Sequence, residues 1–288
     1  PISSLPFSIT QAGSYYLTGD LTHGDGIGIT VMADNVTIDL MGFCIYQAGG
    51  STGFGIVGHN DNLTVRNGTI KGFASGGISV SHGSNMVFER LRILENGTSG
   101  GLSLMWSEKG IIRNCLIHKN GNASTPDHLG GIRADGEYVI QDNVVVDNYY
   151  HGIYAVDSVI RNNVVRDNWG SGIRTSGSLV ENNTVLSNNG RSDQANSGLD
   201  AGIQSIYSSV IKNNLVAYNG NANIRIKQGA STGGGRNVIE NNNIHTSYVG
   251  IYFQSQGNVY INNRMSEHTG TNVLGITGNT NGGGNIAY

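Results

Sequence analysis

Short runs of Ile and Val alternate with clusters of Gly and Asn along almost the whole chain. A Gly-Ile-like dipeptide recurs about every 24 residues from Gly28 to Asn272. A second phrase, Ile-x-Asn-Asn or Val-x-Asn-Asn, precedes many of these dipeptides by about 12 residues, as at Ile160–Asn163 and Ile211–Asn214. Each period therefore predicts two or three short strands separated by Asn and Gly turns.

Two strand phrases in a period of 20 to 30 residues indicate a repeat architecture. Leucine-rich repeats would show a fixed leucine consensus, and propeller blades need about 40 residues, so the pattern favours an all-β parallel β-helix solenoid of about 11 coils. Equivalent residues of successive coils then stack about 4.8 Å apart. Ile and Val form columns inside the coils, and Asn side chains form a hydrogen-bonded ladder at a corner.

These phrases resemble the right-handed parallel β-helix superfamily typified by pectate lyases. The resemblance covers about residues 25–285 and is carried by the Gly-Ile strand starts and by the Asn-Asn corners at Asn162, Asn182, Asn213, Asn241 and Asn262. We expect residues 1–24 to form N-terminal cap strands and residues 25–288 a single β-helix domain. The superfamily includes polysaccharide lyases, polygalacturonase-type hydrolases, mannuronan C5-epimerases, phage tailspikes and non-catalytic surface proteins. The resemblance therefore implies a carbohydrate-related function without choosing among these.

Composition removes several other classes. The chain holds 44 Gly, 35 Asn and 3 Pro in 288 residues, which excludes a helix bundle. A net charge of −3 gives no basic field for nucleic acid, and no apolar run is long enough for a membrane span. Cys44 and Cys115 fall three coils apart, so we predict free thiols. We expect a secreted or extracellular protein with no nucleic-acid or membrane partner, monomeric, or trimeric if it is tailspike-like.

Two outward columns carry most of the charge. The residue before the Asn corner alternates in sign along the chain, which predicts a salt-bridge ladder. Its members are Arg66, Glu89, Arg113, Gln141, Arg161, Glu181, Lys212 and Glu240. The residue after each Gly-Ile forms a second column in which no acid separates the cations. Its members are Ser79, Ser103, Arg133, Tyr154, Arg174, Gln204, Arg225 and Tyr252.

The longest excursions lie next to this second column. Residues 119–130 and 187–201 extend two coils to 30 residues, whereas their neighbours take 20 or 21. Insertions in a repeat protein usually cluster on the binding face, so these segments predict the walls of a groove within residues 127–227. Arginines mixed with Tyr and His suit an anionic partner with flat sugar rings. We therefore expect an acidic polysaccharide or oligosaccharide as the partner.

Cleavage of a uronate polymer by β-elimination needs a cation for the carboxylate, a base for the C5 proton and an acid for the leaving O4. Arg133 and Arg174 are candidates for the charge, His151 or Lys227 for the base, and Tyr154 for the acid. Return of the proton to the opposite face would give C5-epimerisation, so both reactions stay open. The substrate-binding candidates are His128, Asp135, Tyr149, Tyr150, Asp200, Gln204, Arg225 and Tyr252.

Two alternatives remain. Arg225-Ile226-Lys227 and His151-Gly152 are similar to fragments of polygalacturonases, but the paired-aspartate motif of that family is missing. A non-catalytic carbohydrate-binding or tailspike-like β-helix is the other. No metal site and no cofactor is identified; Ca²⁺ stays open, because Asp135, Asp142 and Asp157 have suitable oxygens but no specific spacing.

Overall fold

The repeated strands close into coils that stack along one axis. The computed structural model describes residues 1–125, 129–189, 200–227 and 235–288. Every regular element in these residues is a β-strand, and they include no helix long and apolar enough to cross a membrane. Gly and Asn interrupt each apolar run after a few residues, and the β-branched Ile and Val between them favour extended backbone.

The strands form three parallel sheets, one along each side of the coil. Sheet 1 comprises, in the described residues, the twelve strands Phe7–Ile9, Ile29–Val31, Phe54–Gly58, Gly76–Ser81, Leu102–Met105, Gly130–Asp135, His151–Val156, Ile173–Ser176, Ile203–Ser205, Ala222–Ile226, Val249–Phe253 and Thr271–Leu274. Twelve strands in one sheet correspond to about 11 turns, which confirms the predicted solenoid.

The other two sheets follow each sheet-1 strand in turn. Sheet 2 contains Gly13–Tyr16, Val36–Asp39, Thr64–Lys71, Met86–Leu94, Lys109–Arg113, Glu137–Gln141, Val159–Arg161, Leu179–Glu181, Val210–Lys212, Val238–Glu240, Val259–Ile261 and Thr280–Asn281. Sheet 3 contains Leu21–His23, Cys44–Gln47, Leu116–His118, Val144–Val146, Val164–Arg166, Thr184–Leu186, Leu215–Ala217, Asn243–His245, Arg264–Ser266 and Ile286–Ala287. Thr64–Lys71 and Met86–Leu94 are long enough to continue from sheet 2 into sheet 3.

The core is a set of apolar columns. The Ile of each Gly-Ile phrase pairs with the Ile one coil away, as Ile132 does with Ile153 and Ile153 with Ile173. These residues are fully or almost fully buried. Each buried side chain is thus covered above and below by a similar one, and the apolar area removed from water accumulates coil by coil.

Asparagine ladders seal the corners between sheets. The second Asn of each Asn-Asn phrase is buried, and its amide donates to the Asn of the next coil, for example from Asn163 to Asn183 at 3.0 Å. The first Asn turns the chain with a left-handed backbone, as at Asn162 with φ 55°. A second ladder precedes sheet 1 and includes Asn148 and Asn168.

The predicted charge ladder lies on sheet 2. Arg113 donates to Glu89 at 2.6 and 2.8 Å, and Lys212 lies 3.4 Å from Glu181. Burial raises the pKa of Glu89, but hydrogen bonds and charges from Arg113 and Arg90 outweigh burial and hold the pKa below its usual range. The alternating column therefore neutralises itself within the protein.

The first residues extend the same architecture. Strands Phe7–Ile9, Gly13–Tyr16 and Leu21–His23, expected as a separate cap, pair in parallel with the following coil in each of the three sheets. Their sequence carries the same apolar alternation as the later coils, so they build a coil of their own. Cys44 and Cys115 are both free.

Candidate functional site

The outward column predicted on sheet 1 is continuous. Arg133 pairs in register with Tyr154, and Tyr154 with Arg174. The order along the axis is Ser79, Ser103, Arg133, Tyr154, Arg174, Gln204, Arg225 and Tyr252. The part from Arg133 to Tyr252 is here named the arginine–tyrosine column.

Tyr154 lies between two guanidinium groups. The Cζ atoms of Arg133 and Arg174 are 5.8 and 5.6 Å from the centroid of its ring. Both distances are within the range in which a cation interacts with an aromatic face. The stacking of coils about 4.8 Å apart brings these side chains together. A negative charge formed on the Tyr154 oxygen during a reaction would be stabilised by two neighbouring positive charges.

Arg133 is bound by a protein carboxylate, so the expectation that the column arginines lack one is wrong at this position. Asp135 accepts hydrogen bonds from Nε of Arg133 at 3.0 Å and from Nη2 at 2.5 Å. The pair forms because residues two apart in a strand point to the same side of the sheet. Asp135 is therefore occupied by Arg133.

His151 is buried below the column, with 1% of its side chain accessible. Its Nδ1 accepts a hydrogen bond from the backbone N–H of Ser171 at 3.0 Å, and its Nε2 lies 3.1 Å from Nη1 of Arg174. A backbone N–H and a guanidinium N–H only donate, and a neutral imidazole has one acceptor nitrogen, so only one of these two contacts is a hydrogen bond in a given tautomer. The ring of His151, a candidate base, is thus buried against Ser171 and Arg174.

Asp200 lies among positive charges. Its Oδ1 accepts a hydrogen bond from Oγ of Ser171 at 3.1 Å and is 4.0 Å from Nδ1 of His151. Burial raises the pKa of the Asp200 carboxyl, and the Ser171 hydrogen bond and nearby cations offset only part of that effect. The cations are Arg174, Lys227 and Arg225.

The C-terminal part of the column is more deeply buried than expected. Gln204 is 1% and Arg225 3% exposed, although both were predicted to bind substrate. The Arg225 guanidinium lies 5.0 Å from the centroid of the Tyr252 ring. Burial lowers the pKa of Arg225, and the charges of Tyr252 and Asp200 oppose this change. Long side chains one coil apart cover one another, so an outward position does not guarantee exposure. Partial exposure is kept by Tyr154, Arg174, Lys227 and Tyr252.

The two tyrosines upstream of the column have different surroundings. Tyr150 packs edge-on against the His151 ring, with centroids 5.3 Å apart, and so belongs to the site. Tyr149 stacks on Trp169 with centroids 4.1 Å apart, and both line a separate groove of about 250 Å³ with Lys119. Both tyrosines lie in the bend between the strands Val144–Val146 and His151–Val156.

The sequence that builds these coils matches a known family model. The model described as "Right handed beta helix region" matches residues 20–159, 55–209 and 127–264, which overlap to span most of the chain. This chain belongs to the right-handed β-helix family. The matches include every residue of the arginine–tyrosine column, and they confirm the superfamily indicated by the Gly-Ile and Asn-Asn phrases.

Several solved β-helix structures resemble this β-helix protein. The A-module of the mannuronan C-5 epimerase AlgE6 from Azotobacter vinelandii superposes with a TM-score of 0.65 at 11% identity, over 96% of this chain and 83% of that chain. The Dettilon tailspike protein gives 0.64 at 14%, over 94% and 61%. A double mutant of the tailspike of E. coli bacteriophage HK620, in complex with a pentasaccharide, gives 0.59 at 11%, over 96% and 60%. At these identities the likeness shows the fold alone. No curated protein matches the sequence.

Parts of the predicted groove of this β-helix protein fall outside the described residues. His128 is one of them. The others are the middle parts of the long excursions, residues 126–128 and 190–199. The described ends of these excursions lead into the sheet-1 strands that begin at Gly130 and Ile203.

The carboxylates do not assemble a metal centre in the part of the chain that the structure describes. No group of three or more His, Cys, Asp or Glu side chains there could hold a metal ion. Asp135, considered above as a calcium ligand, binds Arg133 instead.

Sequence reasoning missed Ser171 and Met105. Ser171 contacts both His151 and Asp200, and Sδ of Met105 lies 3.2 Å from Nη1 of Arg133. Ser171 stands directly before Gly-Ile, in the position that His151 occupies one coil earlier. A comparison of that position across coils would have identified Ser171. Met105 could have been identified only from the register of the neighbouring coils.

Proposed function

We propose that the arginine–tyrosine column binds a polysaccharide of uronic acids and that the site acts on it at C5. The observation that supports this most is the position of Tyr154 between Arg133 and Arg174, next to the cations around Asp200. Guanidinium groups recognise carboxylates, and a phenol in their field can exchange a proton. Partly exposed tyrosine rings offer a flat surface to a sugar ring.

In the proposed reaction, Arg174 holds the uronate carboxylate. Nζ of Lys227, which must be uncharged for this step, takes the C5 proton, and the electron pair of the broken C5–H bond moves into the carboxylate, where the guanidinium stabilises the added charge. In β-elimination the electron pair then forms the C4–C5 double bond and the C4–O4 bond breaks, while Tyr154 protonates O4. In epimerisation Tyr154 protonates C5 on the opposite face and no bond to O4 breaks. Both outcomes use the same first step.

Two buried groups keep Arg174 in place. His151 contacts Nη1 of Arg174, and Ser171 connects the His151 ring to Asp200. A guanidinium fixed before substrate arrives requires little rearrangement as charge develops, which is how preorganised donors lower a barrier. His151 and Asp200 are positioning residues in this proposal, because both are buried.

Similarity in fold guides the choice of substrate. The epimerase module named above is a mannuronan C-5 epimerase, so mannuronan is the first polymer to test here. A polymeric uronate substrate lies outside the cytoplasm, so secretion of the protein is part of the proposal.

A decisive test incubates the protein with alginate, pectate and glycosaminoglycans in D₂O. We expect loss of the C5–H signal in the proton NMR spectrum of one polymer. Ultraviolet absorbance of unsaturated ends separates the two reactions, since elimination creates a C4–C5 double bond and epimerisation does not. Failure of every acidic polymer to exchange at C5 would contradict the proposal.

Non-catalytic binding is the second candidate. It is favoured by the burial of Gln204 and Arg225 and by the neutralisation of Arg133 by Asp135. A tailspike in complex with a pentasaccharide has the same fold. In that case a polymer would bind the column without exchange at C5, and sedimentation would test for the trimer expected of a tailspike-like protein. The hydrolase alternative needs two available carboxylates, and Asp135 is already bound by Arg133.

A further inference from the structure

Three aromatic rings form an exposed stack on the coils that precede the arginine–tyrosine column. The ring centroids of His59 and His82 are 6.4 Å apart, and those of His82 and Trp106 are 5.3 Å apart. All three residues are exposed, and Trp106 is 63% exposed. Each ring follows the sheet-1 strand of a successive coil, so the rings run along the helix axis. We name these three residues the aromatic stack.

The aromatic stack ends where the column begins. Leu104 pairs with Ala134, so the position of Trp106 is taken by Gly136 in the next coil. Met105, the neighbour of Trp106 in the chain, contacts Nη1 of Arg133 through its sulfur. The exposed rings and the charged column therefore adjoin on one side of the molecule, with no coil between them.

The sheet-1 surface beside the aromatic stack carries short outward side chains. Its outward residues are Val57, Ser79 and Ser103, which pair in register. Ser103 is buried, so the surface there is made mainly of short side chains. A ligand extended along the axis would meet hydroxyl groups below it and flat rings at the carboxyl ends of the strands.

Packing in the core does not account for the exposed rings of His82 and Trp106, whereas Nδ1 of His59 lies 2.6 Å from Oγ of Ser81. His82 and Trp106 have φ values of 60° and 51°, in the left-handed region that disfavours large side chains. Most other non-glycine residues with such φ values are polar, and many are Asn or Asp. The exposed Trp106 ring gains little from burial in return. Adjacent exposed aromatic side chains on a protein surface mark a place where a partner binds.

We infer that the aromatic stack holds further sugar units of the polyuronate bound by the column. The polymer then runs along the helix axis from Tyr154 toward the N-terminal coils. Sugar rings present apolar C–H faces to the aromatic rings and hydroxyl groups to the partly exposed Ser79. The inference rests on the function proposed above. It adds that the bound chain extends toward the N-terminal coils and is long enough to reach from Tyr154 to the aromatic stack.

The test compares oligomannuronates of increasing length with the full chain. Isothermal titration calorimetry gives the affinity of the wild type, of Trp106→Ala, and of Tyr218→Ala as a matched control. Tyr218 is also an exposed aromatic residue with a positive φ, but it follows a sheet-3 strand. We expect Trp106→Ala to lose about five- to tenfold in affinity for long oligomers and nothing for the shortest one that binds. Tyr218→Ala should match the wild type at every length.

The outcomes separate the two proposals. Binding of long oligomers that is unchanged in Trp106→Ala would overturn the inference and leave the proposed function standing. Absence of binding at every length and for every variant would overturn both. Sedimentation of the same samples tests whether a second copy of this chain occupies the stack instead. If Trp106→Ala dissociates an oligomer of this chain without weakening the binding of the glycan, the stack is a subunit interface and the inference is wrong.

Discussion

The two outward charged columns differ in composition although the same coil spacing builds both. On sheet 2, Glu89 and Arg113 alternate in sign and bind one another across successive coils. On sheet 1, Arg133 is bound by Asp135 of its own strand, and the guanidinium groups of Arg133 and Arg174 lie on either side of the Tyr154 ring. The sheet-2 column pairs opposite charges between coils. The sheet-1 column places cations around an aromatic ring.

The comparison shows what a solenoid can vary at no cost to its fold. Buried Ile columns and Asn ladders run past both columns, so the backbone is fixed independently of the outward residues. Outward positions can then be chosen for stability on one sheet and for chemistry on another. The sheet-1 site also contains a buried carboxyl, Asp200, next to a buried imidazole, His151.

Replacement of the ring at the centre of the site should have the largest effect. We expect Tyr154→Phe to lower turnover at C5 by about 10²- to 10⁴-fold, because the proton donor is lost, while the affinity for the polymer changes little. Rates of C5 exchange and calorimetric affinities measure the two quantities separately. Full turnover in Tyr154→Phe would remove this residue from the mechanism.

Breaking the best-buried pair of the sheet-2 column should lower stability instead. Glu89 is 5% exposed, so Arg113→Leu leaves a buried carboxylate with one partner fewer. We expect a loss of about 2–4 kcal/mol in the free energy of unfolding, measured with urea, and no loss of turnover. Lys212→Leu is the control, because its pair with Glu181 is longer and the Glu181 carboxylate is less buried than that of Glu89, and it should cost about 1 kcal/mol or less. Equal effects of both variants would contradict the ladder argument.

The Asn ladder should tolerate a change at one corner residue and not at its neighbour. Asn163→Ala removes the bonds to Ile140 and Asn183, and we expect it to cost about 1–3 kcal/mol. Asn162→Gly keeps the left-handed turn and should change stability by less than about 1 kcal/mol. The difference between the two urea midpoints measures this contrast, and a larger loss in Asn162→Gly would reverse our assignment of the two residues.

The smallest effect concerns pH. Because burial raises the pKa of Asp200 above the ordinary carboxyl value of 3.8, the folded state binds this proton more tightly than the unfolded state. The stabilising contribution is therefore complete below that value and is lost as the pH rises through the pKa of the folded state. We expect Asp200→Asn to gain stability relative to the wild type as the pH is raised toward about 7. A relative gain of Asp200→Asn on acidification would contradict the sign.

The fold could be predicted closely, because a short repeat determines every coil. The Gly-Ile period assigned all eight members of the sheet-1 column from Ser79 to Tyr252 in their observed register. Alternation of sign likewise identified the sheet-2 ladder. Both results follow from stacking, which turns a sequence period into neighbours in space.

The environment of each site residue could not be predicted in the same way. The period places Asp135 on the same face as Arg133, but the bidentate bond between them depends on side-chain rotamers. The burial of His151, Gln204 and Arg225 depends on what covers them from adjacent coils. Periodicity gives direction and register, whereas exposure and partners are set by the shapes of neighbouring side chains.

Binding of a polyuronate to matched arginine variants tests the central claim most directly. Arg174→Ala changes the sheet-1 column and Arg161→Ala changes the sheet-2 ladder, where Arg161 is held by Gln141. Both variants lose one positive charge. We predict that Arg174→Ala weakens the binding of mannuronan by at least about tenfold at fixed ionic strength, while Arg161→Ala binds as the wild type does. Equal weakening in both variants would mean that net charge alone attracts the polymer and that the sheet-1 column is not its site.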